Sequence, residues 1–263
     1  METSPSRLPD KKGKLFIIGT GPGSEEQLTA AAVNAITVSE YVLGNGAYLD
    51  MLAPLLEGKK VIKSSMGREI DRARKSLELS QDHIVSMVSG GDPGIYGMAG
   101  IVLEMAEKSG ATVDIEIVPG ITSASASASL LGSPLSGDFV VISLSDLLTP
   151  WDVIQDRLSL AFGMGVPVVI YNPRSKGRPY NFKEAMEIAL KTRAPDTPVG
   201  IVKNAFRDGE HVIVTTLEKI HDSHDEVDMH STVIVGGEES RIWRSNNGER
   251  IITPRGYHRK YDY

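Results

Sequence analysis

Three apolar, β-branched runs each end in a glycine-rich turn and give way to a helix-forming segment. They read KLFIIGTGPGS (14–24), HIVSMVSGGDPGIYGMAG (83–100) and TVDIEIVPGITSASA (112–126). Neighbouring parallel strands need a crossover long enough to hold a helix, so a repeated strand, permissive turn and helix pattern is that of a parallel α/β sheet. Between these runs, YVLG (41–44) and KKVIKS (59–64) read as short strands, and 27–40 and 67–80 as helices. The second half has another rhythm. Strands are expected at 138–146 and in PVVIYNP (167–173), and helices at 150–165, with Pro150 in the first turn, and at 181–193. PVGIVKN, EHVIVTTL and STVIVGG follow with no long helix between the first two, which predicts antiparallel pairing and a mixed sheet. The fold class is therefore α/β in two domains, 1–120 and 121–263, with the boundary near Pro119–Gly120. The small-sided run TSASASAS (122–129) reads as a closely packed helix rather than a linker.

Composition narrows the function classes. No apolar run approaches the roughly eighteen residues of a membrane helix. The polar start METSPSRLPDKKGK does not look like a secretory signal, so a cytoplasmic setting is expected. The chain has no cysteine, which removes disulfides, thiolate metal sites and a cysteine nucleophile. The net charge of −6 and the lack of a long basic run argue against nucleic acid as a partner. Two basic clusters remain, YNPRSKGRPY (171–180) and TPRGYHRK (253–260). Each reads as solvated surface or as a local pocket for an anion.

GTGPGS (19–24) approaches the dinucleotide pattern G-x-G-x-x-G. However, Ser24 replaces the third glycine, and no acidic residue follows in VLGNGAY (42–48) where a ribose would need one. Asp92 has two open readings: an acceptor for a ligand hydroxyl or amine, or a side chain that caps its own turn. HDSHDEVDMH (221–230) offers His221, His224, His230, Asp225 and Asp228, but its polar surroundings read as an exposed loop, and no metal site is expected.

GTGPG, SGGDPGIYGMA, VPGITSA and VIYNPRS, in that order, resemble the tetrapyrrole methyltransferase family, and the resemblance runs over about 14–258. It implies two α/β domains with S-adenosylmethionine (SAM) in the cleft between them. It places Pro22, Gly90, Gly91, Asp92 and Ile95 against the cofactor, with Thr122 and Ser123 adding hydroxyl or amide contacts and Asn172 and Ala205 closing the second-domain side. The capping of a helix by Thr122 and Ser123 is compatible with that role. The runs DFVVISLSDLLTPWDVIQDRL (138–158), YNPRSKGR (171–178), VDMHSTVIVG (227–236) and ITPRGY (252–257) resemble one branch of the family. That branch methylates C17 of precorrin-3B or its cobalt-containing counterpart and contracts the ring, expelling C20 within an acetyl group. Contraction requires a proton to leave an oxygen on C20, and Asp146 is the candidate base; helix-start capping is its other reading. The substrate is a polyanion, so Arg174, Arg178 and Arg255 are expected to bind its carboxylates. A homodimer and handover to neighbouring pathway enzymes belong to the same implication. Alternatives are methylation of another ring carbon (precorrin-4 C11 or uroporphyrinogen III), a nicotinamide-dependent oxidoreductase and a non-catalytic tetrapyrrole carrier.

Overall fold

The computed structural model describes residues 13–246 and 248–262. Residues 1–12, on which the expectation about a leader rests, and the side chain of His224 lie outside what is described. The described residues form two compact units that part between Thr122 and Ser123.

In the first unit the elements run β1 (Lys14–Gly19), α1 (Ala30–Val38), β2 (Tyr41–Asn45), α2 (Gly46–Met51), β3 (Lys60–Ser64), α3 (Glu69–Leu79), β4 (Ile84–Ser89), α4 (Ala99–Ser109) and β5 (Asp114–Val118). The strands form one sheet in the order β3-β2-β4-β1-β5, and every pairing is parallel. Both faces are covered, because side chains alternate along a strand. Leu15 and Ile17 of β1 join Met87, Leu77 and Val102 on one face. Phe16 and Ile18 join Ile36, Leu49 and Val88 on the other. All of β1 from Leu15 onward is buried; each such large apolar side chain stabilises by about 1.5–3 kcal/mol.

Two helices start later than their periodicity suggests. Thr29 sits in extended backbone and accepts the Ala32 amide at 3.1 Å, so α1 begins at Ala30 after a separate 3-10 turn at Glu25–Gln27. Tyr96 has φ +51°, outside the right-handed helical region, so α4 starts at Ala99 and not within the glycine-rich run.

The second unit contains α5 (Ser123–Leu131), β6 (Gly132–Ser133), β7 (Val140–Ser143), α6 (Trp151–Gly163), β8 (Val168–Tyr171), α7 (Asn181–Ala189), β9 (Pro198–Lys203), β10 (His211–Thr216), β11 (Ser231–Val235), β12 (Arg241–Ser245) and β13 (Gly248–Ile252). The main sheet has the order β10-β9-β11-β8-β7. Only β7 and β8 pair in parallel; β11 lies antiparallel between β8 and β9, and β10 hairpins onto β9. This is the mixed sheet that the sequence predicts. α6 and α7 cover one face through Leu158, Phe162, Phe182 and Met186. α5 covers the other through Ala124 and Leu131.

A third sheet, β12-β13-β6, has no counterpart in the sequence reading. The strand expected over 138–146 stops at Ser143, whose register partner Tyr171 ends β8. Asn172 then takes φ +50° and turns that strand away. Pro150 is the N-cap of α6 rather than part of its first turn. The run expected as an exposed loop at 221–230 is mostly exposed among its described side chains, but its first part lies in 3-10 turns over Leu217–Glu226, preceded by buried Leu217 and Ile220.

Candidate functional site

Each unit gathers its unusual residues at the carboxyl edge of its sheet. In the first unit, the connection from β1 leads toward β2 on one side of the sheet, and that from β4 leads to β5 on the other. The crevice between the ends of two such strands is where ligands bind in open α/β sheets. The loops there are locked backbone to backbone. Gly21 N–H donates to Gly91 O at 3.1 Å and Gly91 N–H to Gly21 O at 2.9 Å. Both have φ +66°, a left-handed conformation that glycine adopts without penalty. The turn after β5 packs against the same pair: a Cβ on Gly19 would lie 2.6 Å from Gly91 O and from Gly120 N.

Asp92 bolts the assembly. Its Oδ1 accepts the Gly94 amide at 2.8 Å and its Oδ2 accepts the Gly120 amide at 3.1 Å. The turn-capping reading of Asp92 is thus realised, and the same carboxylate reaches across to the next loop. Ser89 Oγ accepts the Met98 amide at 3.3 Å, and the Tyr48 ring covers Gly90. Beyond this lock the chain is exposed at Gly94–Tyr96. A Cβ at Gly94 would have only Asp92 Oδ1 near it, at 3.2 Å, and Ile95 beside it is 40% exposed. Pro22, next to the locked Gly21, is buried. The edge offers backbone polar groups and an apolar isoleucine. Those features fit a ligand with an apolar aromatic part and several hydroxyl or amine groups, as SAM has.

The same geometry removes the dinucleotide reading. The glycine turn after β1 does not open a helix, since α1 starts only at Ala30, and β2 ends on Asn45 rather than an acid.

In the second unit, β7, β8 and β9 end on one edge, beside the start of β11. Asn172 Nδ2 donates to Ser143 Oγ at 2.9 Å, fixing the turn after β8 to the end of β7. Asn172, Asn204 and Phe206 all have positive φ (50°, 50° and 58°). Strained residues of this kind collect at functional sites, and Phe206 is the costly one because its ring brings no local hydrogen bond. Ala205, between them, packs against the apolar cluster of Val202 and Val212. Ser123 opens α5, whose Ala124 amide donates to the Tyr171 hydroxyl at 2.7 Å; Thr122 is the last residue of the first unit.

Arg178 organises the edge. Its Nη1 donates to Ser145 Oγ at 2.7 Å, its Nη2 to Met229 Sδ at 3.0 Å, and its Nε stands 4.0 Å from Asp146 Oδ1. Asp146 does not cap α6, whose N-cap makes no side-chain hydrogen bond; its carboxylate is 40% exposed and faces Arg178. Arg174 pairs with Asp225 at 3.2 Å. That partner is 95% exposed, so the pair contributes well under ~1 kcal/mol and is open to exchange. Arg255 stands exposed in a segment tied to the third sheet by Thr253 N–H on Ser133 O at 3.0 Å, and it makes no hydrogen bond or ion pair among the described residues.

Sequence reasoning passed over Ser143, Ser145, Lys203 and Met229, and weighed Asp228 only as a metal ligand. Lys203 Nζ lies 2.7 Å from Asp228 Oδ2. Burial acts to raise the Asp228 carboxyl, but the Lys203 hydrogen bond and the His230 amide hold it below its ordinary value. The alternation of serines in ISLSD was the available signal for two of these residues. Among the described residues no cluster of three or more metal-ligating side chains occurs, and no helix is long and apolar enough to cross a membrane.

Comparison with known proteins places this geometry. The family model of Tetrapyrrole (Corrin/Porphyrin) Methylases matches residues 14–221. A probable cobalt-factor III C(17)-methyltransferase of Salmonella typhimurium is 43% identical over 92% of this chain and 99% of its own length. The crystal structure of the methyltransferase CobJ superposes with TM-score 0.85 at 31% identity, covering 92% of this chain and all of that one. A uroporphyrin-III C-methyl transferase from Thermus thermophilus, solved in complex with S-adenyl homocysteine, matches with TM-score 0.64 at 25% identity, over 85% of this chain and 92% of that one. The chain spans about half the length, 54% and 46%, of two further curated relatives that it matches at 45% and 41% identity. The matched span, the parallel and mixed sheets, and the glycine loops locked at the carboxyl edge together show that this chain belongs to the tetrapyrrole (corrin/porphyrin) methylase family.

Proposed function

We propose that the protein is a SAM-dependent C-methyltransferase of cobalamin biosynthesis that methylates C17 of cobalt-factor III or precorrin-3B with ring contraction. The observation that carries the reading is the lock of three glycine loops at the carboxyl edge of the sheet, with Gly94 and Ile95 exposed beside it. The names of its relatives support the choice of ring carbon.

Pro22, the backbone of Gly90–Asp92, and Ile95 hold the cofactor, with Thr122, Ser123, Asn172 and Ala205 completing its contacts. When bound, SAM supplies an electrophilic methyl group together with its own leaving group. The chain's task is then to orient the partners and exclude water. The rigid loop lock serves orientation, because no side-chain rotamer intervenes between backbone and ligand. Asp146, exposed and unpaired by a cap, accepts the proton that leaves the C20 oxygen during contraction. Arg174, Arg178 and Arg255 meet the substrate carboxylates, and Arg174 exchanges Asp225 for one of them. A cytoplasmic homodimer that passes its product to the next pathway enzyme is part of the same proposal.

Purified protein incubated with labelled SAM and cobalt-factor III, or with precorrin-3B, tests it. The expected result is a product heavier by one methyl group, with release of S-adenosylhomocysteine. Transfer to neither substrate, with transfer to precorrin-4 or uroporphyrinogen III instead, overturns the assignment.

A further inference from the structure

The turn after β7 carries two leucines that the fold leaves in solvent. Leu144 is fully buried and the core resumes at Trp151 and Ile154, but between them Leu147 is 79% and Leu148 93% exposed. Tyr180 (69%) and Met229 (39%) are exposed on neighbouring segments. Arg178 draws these segments together, since it bonds Ser145 at the start of the leucine turn and Met229 before β11, and precedes Tyr180 by two residues. Its side chain is only 12% exposed and its Nε has no hydrogen-bond partner. Single exposed apolar side chains are ordinary. A consecutive exposed leucine pair, on a segment that one mostly buried cation ties to the segments of Tyr180 and Met229, is apolar surface that calls for an occupant. Arg178, and Arg174 four residues before it, each face a carboxylate, Asp146 at 4.0 Å and Asp225 at 3.2 Å.

We propose that Leu147 and Leu148, with Tyr180 and Met229, seat the flat apolar face of the tetrapyrrole ring, while Arg174 and Arg178 meet its carboxylate rim. A broad apolar disc edged with anions complements exposed apolar side chains beside arginines, its carboxylates replacing Asp225 and Asp146 as their partners. The assignment rests on the proposed methyltransferase activity and adds to it the residues that select a macrocycle over a smaller anion.

The test is a Leu147→Ser/Leu148→Ser double variant beside Leu147→Met/Leu148→Met. Cobalt-factor III is titrated by its absorbance, and KM and kcat are measured separately. Both leucines are exposed, so the unfolding midpoint stays at the wild-type value. The serine variant raises Kd and KM for cobalt-factor III by about tenfold or more, with SAM affinity within about twofold of wild type, and the methionine variant restores KM. A serine variant with wild-type Kd and KM overturns the seat while leaving the methyltransferase reading intact. So does one whose only change is a lower sedimentation coefficient, which would make the patch a contact between two copies of the chain. Wild-type protein that neither binds nor methylates cobalt-factor III overturns both.

Discussion

Removing the Asp92 carboxylate separates a loop bolt from a ligand contact. The carboxylate accepts two amides, an exposed one from Gly94 and a part-buried one from Gly120. Charge-assisted hydrogen bonds contribute about 1.5–3 kcal/mol each, with the exposed one at the low end. In Asp92→Ala, water recovers part of the loss at Gly94, so the expected cost is about 2–3 kcal/mol. Asp92→Asn keeps one acceptor oxygen but turns an amide nitrogen toward the other N–H, so it costs about half as much. With a urea slope of about 2 kcal/mol/M, the alanine variant lowers the midpoint by about 1–1.5 M. The shift is confined to the transition of the first unit if the two units unfold separately. Urea unfolding followed by circular dichroism, with SAM titration of the folded variants, gives both readouts. A bolt predicts a stability loss graded Ala over Asn, with SAM affinity following the loss of loop order. An alanine variant whose midpoint stays within about 0.3 M of wild type refutes the reasoning, because the two amides would then not depend on the carboxylate.

Gly94→Leu puts a bulky side chain on the exposed loop beside Ile95; SAM affinity should fall at least tenfold by calorimetry while the unfolding midpoint holds, and unchanged affinity would move the cofactor elsewhere. Asp146→Asn should keep SAM binding but cut product formation by about 10²–10⁴-fold; turnover within about fivefold of wild type makes Asp146 structural. The Asp228 carboxyl is held below its ordinary value, and a depressed folded value adds stability above the unfolded pKa that is lost as pH falls through the folded one. The stability gap between wild type and Asp228→Asn should therefore be full at about pH 6 and close as pH drops below the ordinary carboxylate range. A gap of constant size down to about pH 2.5 would show that the Lys203 pair does not set it.

The sequence by itself determined the kinds of element and the class of sheet. β-branched runs, glycine turns and 3.6-residue periodicity act within a few residues, so β1, β4, β5 and the antiparallel β9–β10 hairpin were legible, as were the glycine loops that carry the family resemblance. What it left open depends on partners far away along the chain. Asp92 could be read as a turn cap, but not as the acceptor for Gly120, which belongs to a different loop. Asp146 could be read as a helix cap until the N-cap of α6 proved to be Pro150 and Arg178 stood opposite the carboxylate. The third sheet was invisible because β6 is two residues long and exists only through its pairing with Ile251 and Ile252 near the other end of the chain. The expected strand ran to Asp146 and left Leu147 and Leu148 unassigned. Only the tertiary structure shows that β7 stops at Ser143 and that both leucines stand in water. Local preference chooses among backbone conformations, but which polar atoms find partners and which apolar ones do not is settled by what packs beside them.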